Sequence, residues 1–337
     1  MSKPRVLLLT NRPVLPPDHP DRLSEIDVVE TADEVARVLP PDRYEVERFA
    51  YARDPRLLID KLAGWKPDCV FNLFEGEADR SETEIYNAAL LEWAGVPFTG
   101  AGSFGQAVGR DKVRTKYLLR GAGVPTPPGQ VVERPPADAW PHPWPAIVKP
   151  AYQDASIGID QGSVVATQPE LDARVAYVFD RFGGPVVVEQ FIAGRELQVH
   201  LFDDPADGAL RLTPAAEIVY EYPPGAGFWP VYSYEAKWNE KSVEYRASKL
   251  VGGLTLPGPL GDRVAAMCVS AYRLVGLRDY GRIDLRVTAD GEPVVIEVNP
   301  NPHLNSAVLI EGLKVMGRTF PDFVRGLVAN ALKRGRA

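Results

Sequence analysis

Apolar runs of strand length that alternate with amphipathic segments constrain this chain first. Arg5–Thr10 (RVLLLT), Tyr44–Ala50 and Asp68–Phe74 (DCVFNLF) read as strands. Thr31–Leu39 and Thr83–Ala94 carry apolar residues at helical spacing, among them Val35, Val38, Leu39, Ile85, Ala88 and Leu91. Strand-helix alternation of this kind predicts a parallel sheet covered by helices, because a parallel connection must cross over the sheet face. Gly95–Gly100 reads as a helix stop followed by a short strand, and the turn-rich Gly100–Ser103 closes the unit. An α/β class follows, with an N-terminal Rossmann-like domain over residues 1–104.

The remainder has a different rhythm. Asp111–Gly121 is a helix stopped by Gly121, Gly123, Pro125 and Pro127. Trp144–Pro150 and Gly162–Ala166 bracket a loop of small residues, a helix spans Pro169–Phe182, and Pro185–Ile192 is a buried strand. Further strands are predicted over Glu196–Phe202, Thr213–Tyr220, Gly281–Thr288 and Glu292–Val298, with helices over Asp262–Val275 and Phe320–Lys333. This α+β part divides into a small central lobe, 105–187, and a C-terminal lobe, 188–337. Residues 221–261 lack periodicity and read as a functional lid or as unrecognised strands.

Composition narrows the function. The formal charge of −7 in 337 residues disfavours binding to nucleic acid or anionic lipid, so any phosphate site must be local. No apolar run is long enough for a signal peptide or a membrane span, which predicts a cytoplasmic protein. The two cysteines, Cys69 and Cys268, lie far apart in apolar patterns and read as core.

The chemistry concentrates near the carboxyl end. Alternation puts Arg282, Asp284 and Arg286 on one face of one strand, and Glu297 and Asn299 on one face of the next, with Asp290-Gly291 as the hairpin turn. Two carboxylates and an amide suit magnesium, a hard cation that completes its octahedron with water and phosphate oxygens. Taken singly, the pattern also fits solvent-facing charges on an antiparallel pair. Lys149 ends an apolar strand, where an ammonium needs a partner such as phosphate. The loop Tyr152–Gly158 has residues small enough for backbone N–H groups to approach phosphate, and fits an ordinary hairpin as well. The strand Val186–Ile192 leads into Ala193-Gly194-Arg195-Glu196, which suits adenine held by main-chain atoms and ribose on Glu196, or a pair of surface salt bridges.

In order and spacing these pieces resemble the ATP-grasp superfamily, specifically its D-alanine:D-alanine ligase branch. The matching stretches are Gly109–Lys116, Ile147–Pro150, Val188–Phe191, Tyr234–Trp238, Gly281–Asp284 and Glu297–Pro300, and the likeness covers most of the chain. The resemblance implies a two-lobed ATP-grasp module behind the N-terminal domain. It implies ATP phosphates on Lys112 and Lys149, a phosphate loop carrying Ser156 and Gly158, and the adenine amino group at Glu189. Ile192 would offer backbone atoms to the ring and Glu196 would take the ribose. Lys237 would reach the transferred phosphate, Arg282 the developing oxyanion, and Asp284, Glu297 and Asn299 two magnesium ions, with manganese as the alternative. The activity implied is ligation of a small carboxylate to an amine, amino acids among them, through an acyl phosphate. A phosphotransferase and a non-catalytic ATP-binding regulator are the alternatives. Relatives in this branch are often dimers, so a homodimer is the assembly implied.

Three segments depart from the branch. Leu9-Thr10-Asn11-Arg12-Pro13 stands where it carries a glycine pair, Asn72–Glu77 where it carries His-Gly, and Val308 where it carries a serine that holds the second substrate. Asp154-Ala155-Ser156 also replaces the usual Gly-Ser-Ser. The ATP half matches and the substrate half does not, so a product other than D-alanyl-D-alanine is expected. Arg12, Glu75 and His303 are the candidate substrate contacts.

Overall fold

A computed structural model describes residues 3–223, 225–304 and 306–335. Its first sheet is parallel, in the order β2-β1-β3, from β1 (Arg5–Asn11), β2 (Glu45–Tyr51) and β3 (Cys69–Leu73). Between and after these strands lie α1 (Arg22–Val38), α2 (Arg56–Trp65) and α3 (Thr83–Trp93). Alternation along β1 sends Val6 and Leu8 to one face and Leu7 and Leu9 to the other, and all four are buried. Helix α1 begins nine residues before the expected Thr31. Its early turns carry Glu25, which anchors the preceding loop by accepting from the Val14 and Leu15 amides (2.7 and 2.9 Å). The short strand expected near Phe98 is a single parallel bridge to Val70.

Two helices lead out of this unit, α4 (Ser103–Arg110) and α5 (Lys112–Gly121). Asp111 separates them and caps α5, its side chain accepting from the Arg114 amide, so Lys112 sits at the first helical position. A four-stranded antiparallel sheet follows, ordered β4-β7-β5-β6, from β4 (Gly129–Val132), β5 (Ala146–Pro150), β6 (Val164–Val165) and β7 (Val186–Gln190). Helix α6 (Gln168–Phe182) covers one face, started by a Thr167 cap with proline in its first turn and ended by Gly183 at φ 76°. Strand β7 stays paired in this sheet through Gln190, past residue 187.

The third sheet contains β8 (Arg195–Asp203), β9 (Leu210–Leu212), β10 (Ala215–Tyr220), β11 (Ser248–Leu254), β12 (Tyr280–Val287) and β13 (Pro293–Asn299). Its main order is β11-β10-β8-β12-β13, with β9 beside β8. The aperiodic stretch resolves into α7 (Tyr234–Trp238), α8 (Val243–Ala247) and β11. Each of these short helices is capped by a serine, Ser233 or Ser242, and both are too short to show a helical period in sequence. Helix α9 (Gly258–Val275) backs the sheet. Helices α10 (Ala307–Val315) and α11 (Phe320–Arg334) follow, and α11 returns to the first sheet, where Val324, Leu327 and Val328 share a core with Val6, Leu8 and Phe71. Both cysteines are buried and free. Among the described residues no helix is long and apolar enough to cross a membrane.

Candidate active site

The four-stranded and six-stranded sheets face one another across a cleft of about 490 Å³. Strands β12 and β13 supply its charged floor. Their register sets Arg282 opposite Asn299 and Asp284 opposite Glu297, so the faces inferred from alternation coincide. Asp284 accepts both Arg282 Nε (2.7 Å) and Nη2 (2.9 Å), and also Asn299 Nδ2 (3.1 Å). Glu297 Oε1 lies 2.9 Å from Lys112 Nζ. Burial would raise the Glu297 pKa, but Lys112 beside it, then Lys149 and Arg282, hold it down to about 2. For Asp284 burial prevails over Arg282, and its pKa is raised. Two carboxylates and an amide on one cavity wall, already stabilised by cations, form a donor set that fits magnesium.

A one-residue bulge follows Asp284 in this pairing, with Leu285 opposite Val295 and Ile296 the extra residue. The Ile296 carbonyl accepts from Lys116 Nζ (2.9 Å), a residue to which sequence reasoning gave no role. Lys116 also sits 2.7 Å from Glu189, whose other oxygen lies 3.1 Å from Lys149. Burial lowers the Lys116 pKa to about 8. Burial pushes the Glu189 carboxyl up, yet Lys116 and Lys149 together hold it below its ordinary value. The i, i+4 spacing of Lys112 and Lys116 on one helix face was the available signal.

At the opposite end Ile192 and Glu196 flank the turn between β7 and β8. Gly194 there has φ 138°, and a Cβ would fall 2.0 Å from the Val287 carbonyl oxygen, so only glycine lets this turn lie against β12. Arg286, also unassigned from sequence, donates to the Ile192 carbonyl (3.0 Å) and to Glu196, and stacks over Phe191. Glu196 accepts from Tyr220 as well (2.7 Å).

The small-residue loop closes over the cleft. Ala155 and Ser156 both have positive φ, and Ser156 Oγ donates to the Tyr232 carbonyl (2.9 Å). Gly158 does not line the cleft; at φ 80° it packs on Pro150 and Phe182, so its part is to bend the loop. Asp154 is held by Arg110 at 3.0 Å. Arg110, buried, also pairs with buried Glu84 and donates to the Glu75 carbonyl (3.3 Å). Trp238 Nε1 donates to the Ala155 carbonyl (3.0 Å) and the Tyr234 amide to that of Ile159 (2.9 Å), so the stretch around α7 roofs the same loop. Lys237 projects beneath it; burial first, then Arg282, lower its pKa.

The cleft thus brings together Lys112, Lys149, Ser156, Glu189, Ile192, Glu196, Lys237, Arg282, Asp284, Glu297 and Asn299. A smaller cavity of about 110 Å³ adjoins it, lined by Glu75, Asp27, Asp154, Lys237, Arg282 and His303 among others. His303 is paired with Asp27. Arg12 lines neither cavity; it is exposed at the end of β1 and donates to the Ala50 carbonyl (3.4 Å). Val308 is buried at the wall of the larger cavity.

The family model described as D-ala D-ala ligase C-terminus matches residues 118–329. A D-alanine–D-alanine ligase of Alcanivorax borkumensis is 33% identical over 284 residues, 82% of this chain and 81% of the relative. One of Geobacter sulfurreducens is 31% identical over 249 residues, 72% of this chain and 71% of the relative. The crystal structure of D-alanine–D-alanine ligase from Bacillus anthracis complexed with ATP has the same fold, with a TM-score of 0.74 over 99% of each chain at 19% identity. On the family match, the relatives and the shared fold, this chain belongs to the D-alanine–D-alanine ligase family of ADP-forming ATP-grasp carbon–nitrogen ligases.

Proposed function

We propose that the protein joins a small carboxylate to an amine through an acyl phosphate, with ATP as phosphoryl donor, and that its substrate pair is not two molecules of D-alanine. The observation that carries the reading is one wall of oxygen ligands, Asp284, Glu297 and Asn299, facing the cavity that also receives Lys112, Lys149, Lys237 and Arg282. Magnesium held there, as one ion or two, would neutralise phosphate charge and draw the terminal phosphate toward the attacking carboxylate.

The protein's own groups supply the rest. Lys112 and Lys149 stand where ATP phosphates would lie, with Ser156 on the loop above, and Gly158 shapes that loop. The segment from Glu189 to Ile192 offers backbone and carboxylate to the base, and Glu196 offers an oxygen to ribose. Lys237, which has no acidic partner among the described residues, is free to meet the transferred phosphate. Arg282, fixed by two bonds to Asp284, is preorganised to stabilise the tetrahedral oxyanion when the amine attacks; one such donor is commonly worth about 3–4 kcal/mol of barrier. The loop and the α7 stretch above keep water from the acyl phosphate.

The divergent substrate pair rests on Leu9–Pro13, Asn72–Glu77 and Val308. Purified protein with ATP and magnesium should release phosphate with a pooled set of carboxylates and amines, and mass spectrometry of the product should show an amide. ADP release that needs the amine separates ligation from simple phosphotransfer. Robust dipeptide formation from D-alanine alone would refute the divergent pair.

A further inference from the structure

Strand β13 forms the edge of its sheet, where it pairs with β12 alone. Backbone groups on such an edge need partners from outside the ladder. The chain from α5 onward supplies them. The Val295 amide donates to the Pro125 carbonyl (2.9 Å), and the Ile296 carbonyl accepts from Lys116 Nζ (2.9 Å). Lys116 is 5% exposed, and two further oxygens surround its ammonium, Thr126 Oγ1 at 3.1 Å and Glu189 Oε1 at 2.7 Å. An ammonium carries three N–H donors, so these three oxygens fix Nζ on every side. Glu189 belongs to the four-stranded sheet and Ile296 to the six-stranded one, so the contact ties the two walls of the cleft together.

What Lys116 holds in β13 is the bulge itself. Val295 and Val298 both lie in the core behind the sheet, whereas Ile296 and Glu297, adjacent in sequence, both line the cleft. Strict alternation would send one of two such neighbours to each face. The direction of Glu297 therefore follows from the bulge rather than from the ladder, and a bulge re-aims the side chains beside it. The carbonyl that the bulge leaves out of the ladder is the one that Lys116 takes up, one peptide unit before the Glu297 side chain.

We propose that Lys116 is a positioning residue for the metal wall: by clamping the bulge at Ile296 against Glu189 and Thr126, it aims the Glu297 carboxylate at the divalent ion. The inference rests on the metal assignment in the reading above. It gives Lys116 a role that touches neither phosphate nor metal, in contrast to Lys112, one helical turn away, which faces Glu297 directly.

The test measures ADP binding to the whole protein by calorimetry, with and without magnesium. The ratio of the two Kd values reports how well the wall grips the ion, separately from how well the nucleotide is held. Partners that orient a metal ligand commonly contribute about 10–100-fold to metal affinity. In Lys116→Met the magnesium-dependent gain in ADP affinity should accordingly fall by about tenfold, whatever happens to the metal-free Kd. The magnesium concentration that half-saturates turnover should rise by a similar factor. Lys116→Gln, shorter by one atom but still a donor, should show a smaller loss in the same direction and serves if the methionine variant does not fold. A variant that loses ADP affinity equally with and without magnesium, or only melts earlier, would overturn the inference, because Lys116 would then act through Glu189 or the fold alone. Wild type whose ADP affinity ignores magnesium would overturn the metal wall and this inference with it. Magnesium-dependent ADP binding that needs Lys116, without amide from any substrate pair, would uphold the inference and overturn the ligase reading.

Discussion

Replacing Arg110 with methionine removes a buried guanidinium that neutralises Glu84 and Asp154 while keeping most of its length. Glu84 is buried, and its remaining side-chain partner would be the Asn301 amide at 3.0 Å. Burial already raises the Glu84 pKa with Arg110 opposing it, so loss of Arg110 leaves a carboxylate that must pay desolvation alone or take up a proton. Removing one partner of a buried pair commonly costs about 3–5 kcal/mol. With a melting entropy of about 2.1 cal/mol/K per residue, a 337-residue chain that melted as one unit would lose about 4–7 °C in Tm. Differential scanning calorimetry at pH 7 measures it. Adding Glu84→Gln should recover much of the loss, because the stranded charge is then gone. A single variant with unchanged Tm, or a double variant no better than the single, would refute the ion-pair account of how the loop at Asp154 is tied to the first sheet.

Acid stability should expose the Glu297–Lys112 pair. The folded pKa of Glu297, about 2, lies below the ordinary 4.5, so the pair stabilises the fold above that ordinary value and the contribution disappears as pH falls toward 2. The shift corresponds to about 3 kcal/mol at most. In metal-free protein the stability gap between wild type and Glu297→Gln, followed by urea titration, should therefore narrow from pH 7 to pH 3; a constant gap would contradict the pairing. Gly194→Ala should strain the turn between β7 and β8 by about 1–3 kcal/mol and weaken binding of a fluorescent ATP analogue, because the added Cβ meets the Val287 carbonyl. Unchanged stability and affinity would show that the turn does not need glycine.

Much of the fold was legible because it follows from period. The apolar runs at Arg5, Cys69 and Val186 and the helices at Thr83, Lys112, Gln168 and Phe320 announce themselves by spacing alone. Helices α7 and α8 did not, since elements of 5 residues carry too few positions for a period, and the caps Ser233 and Ser242 are also common loop residues. The faces of β12 and β13 were readable, but the bulge at Ile296 was not, because alternation says nothing of a carbonyl left out of the ladder. Lys116, Arg110 and Arg286 were missed for a related reason. Each acts by touching groups distant in the chain, namely Glu189, Glu84 with Asp154, and Ile192. Arg12 failed in the opposite sense: its place after β1 suggested the site, yet its side chain lies on the surface.

The metal wall bears the central claim, and Glu297→Gln tests it most directly. The substitution keeps size and hydrogen-bonding capacity while removing one anionic oxygen ligand. Magnesium-dependent ADP formation, measured with the carboxylate and amine that the wild type uses best, should fall by at least about a hundredfold, comparable to losing one key electrostatic stabiliser. Circular dichroism should stay that of the wild type. Turnover within a few-fold of wild type at the same magnesium concentration would contradict the account.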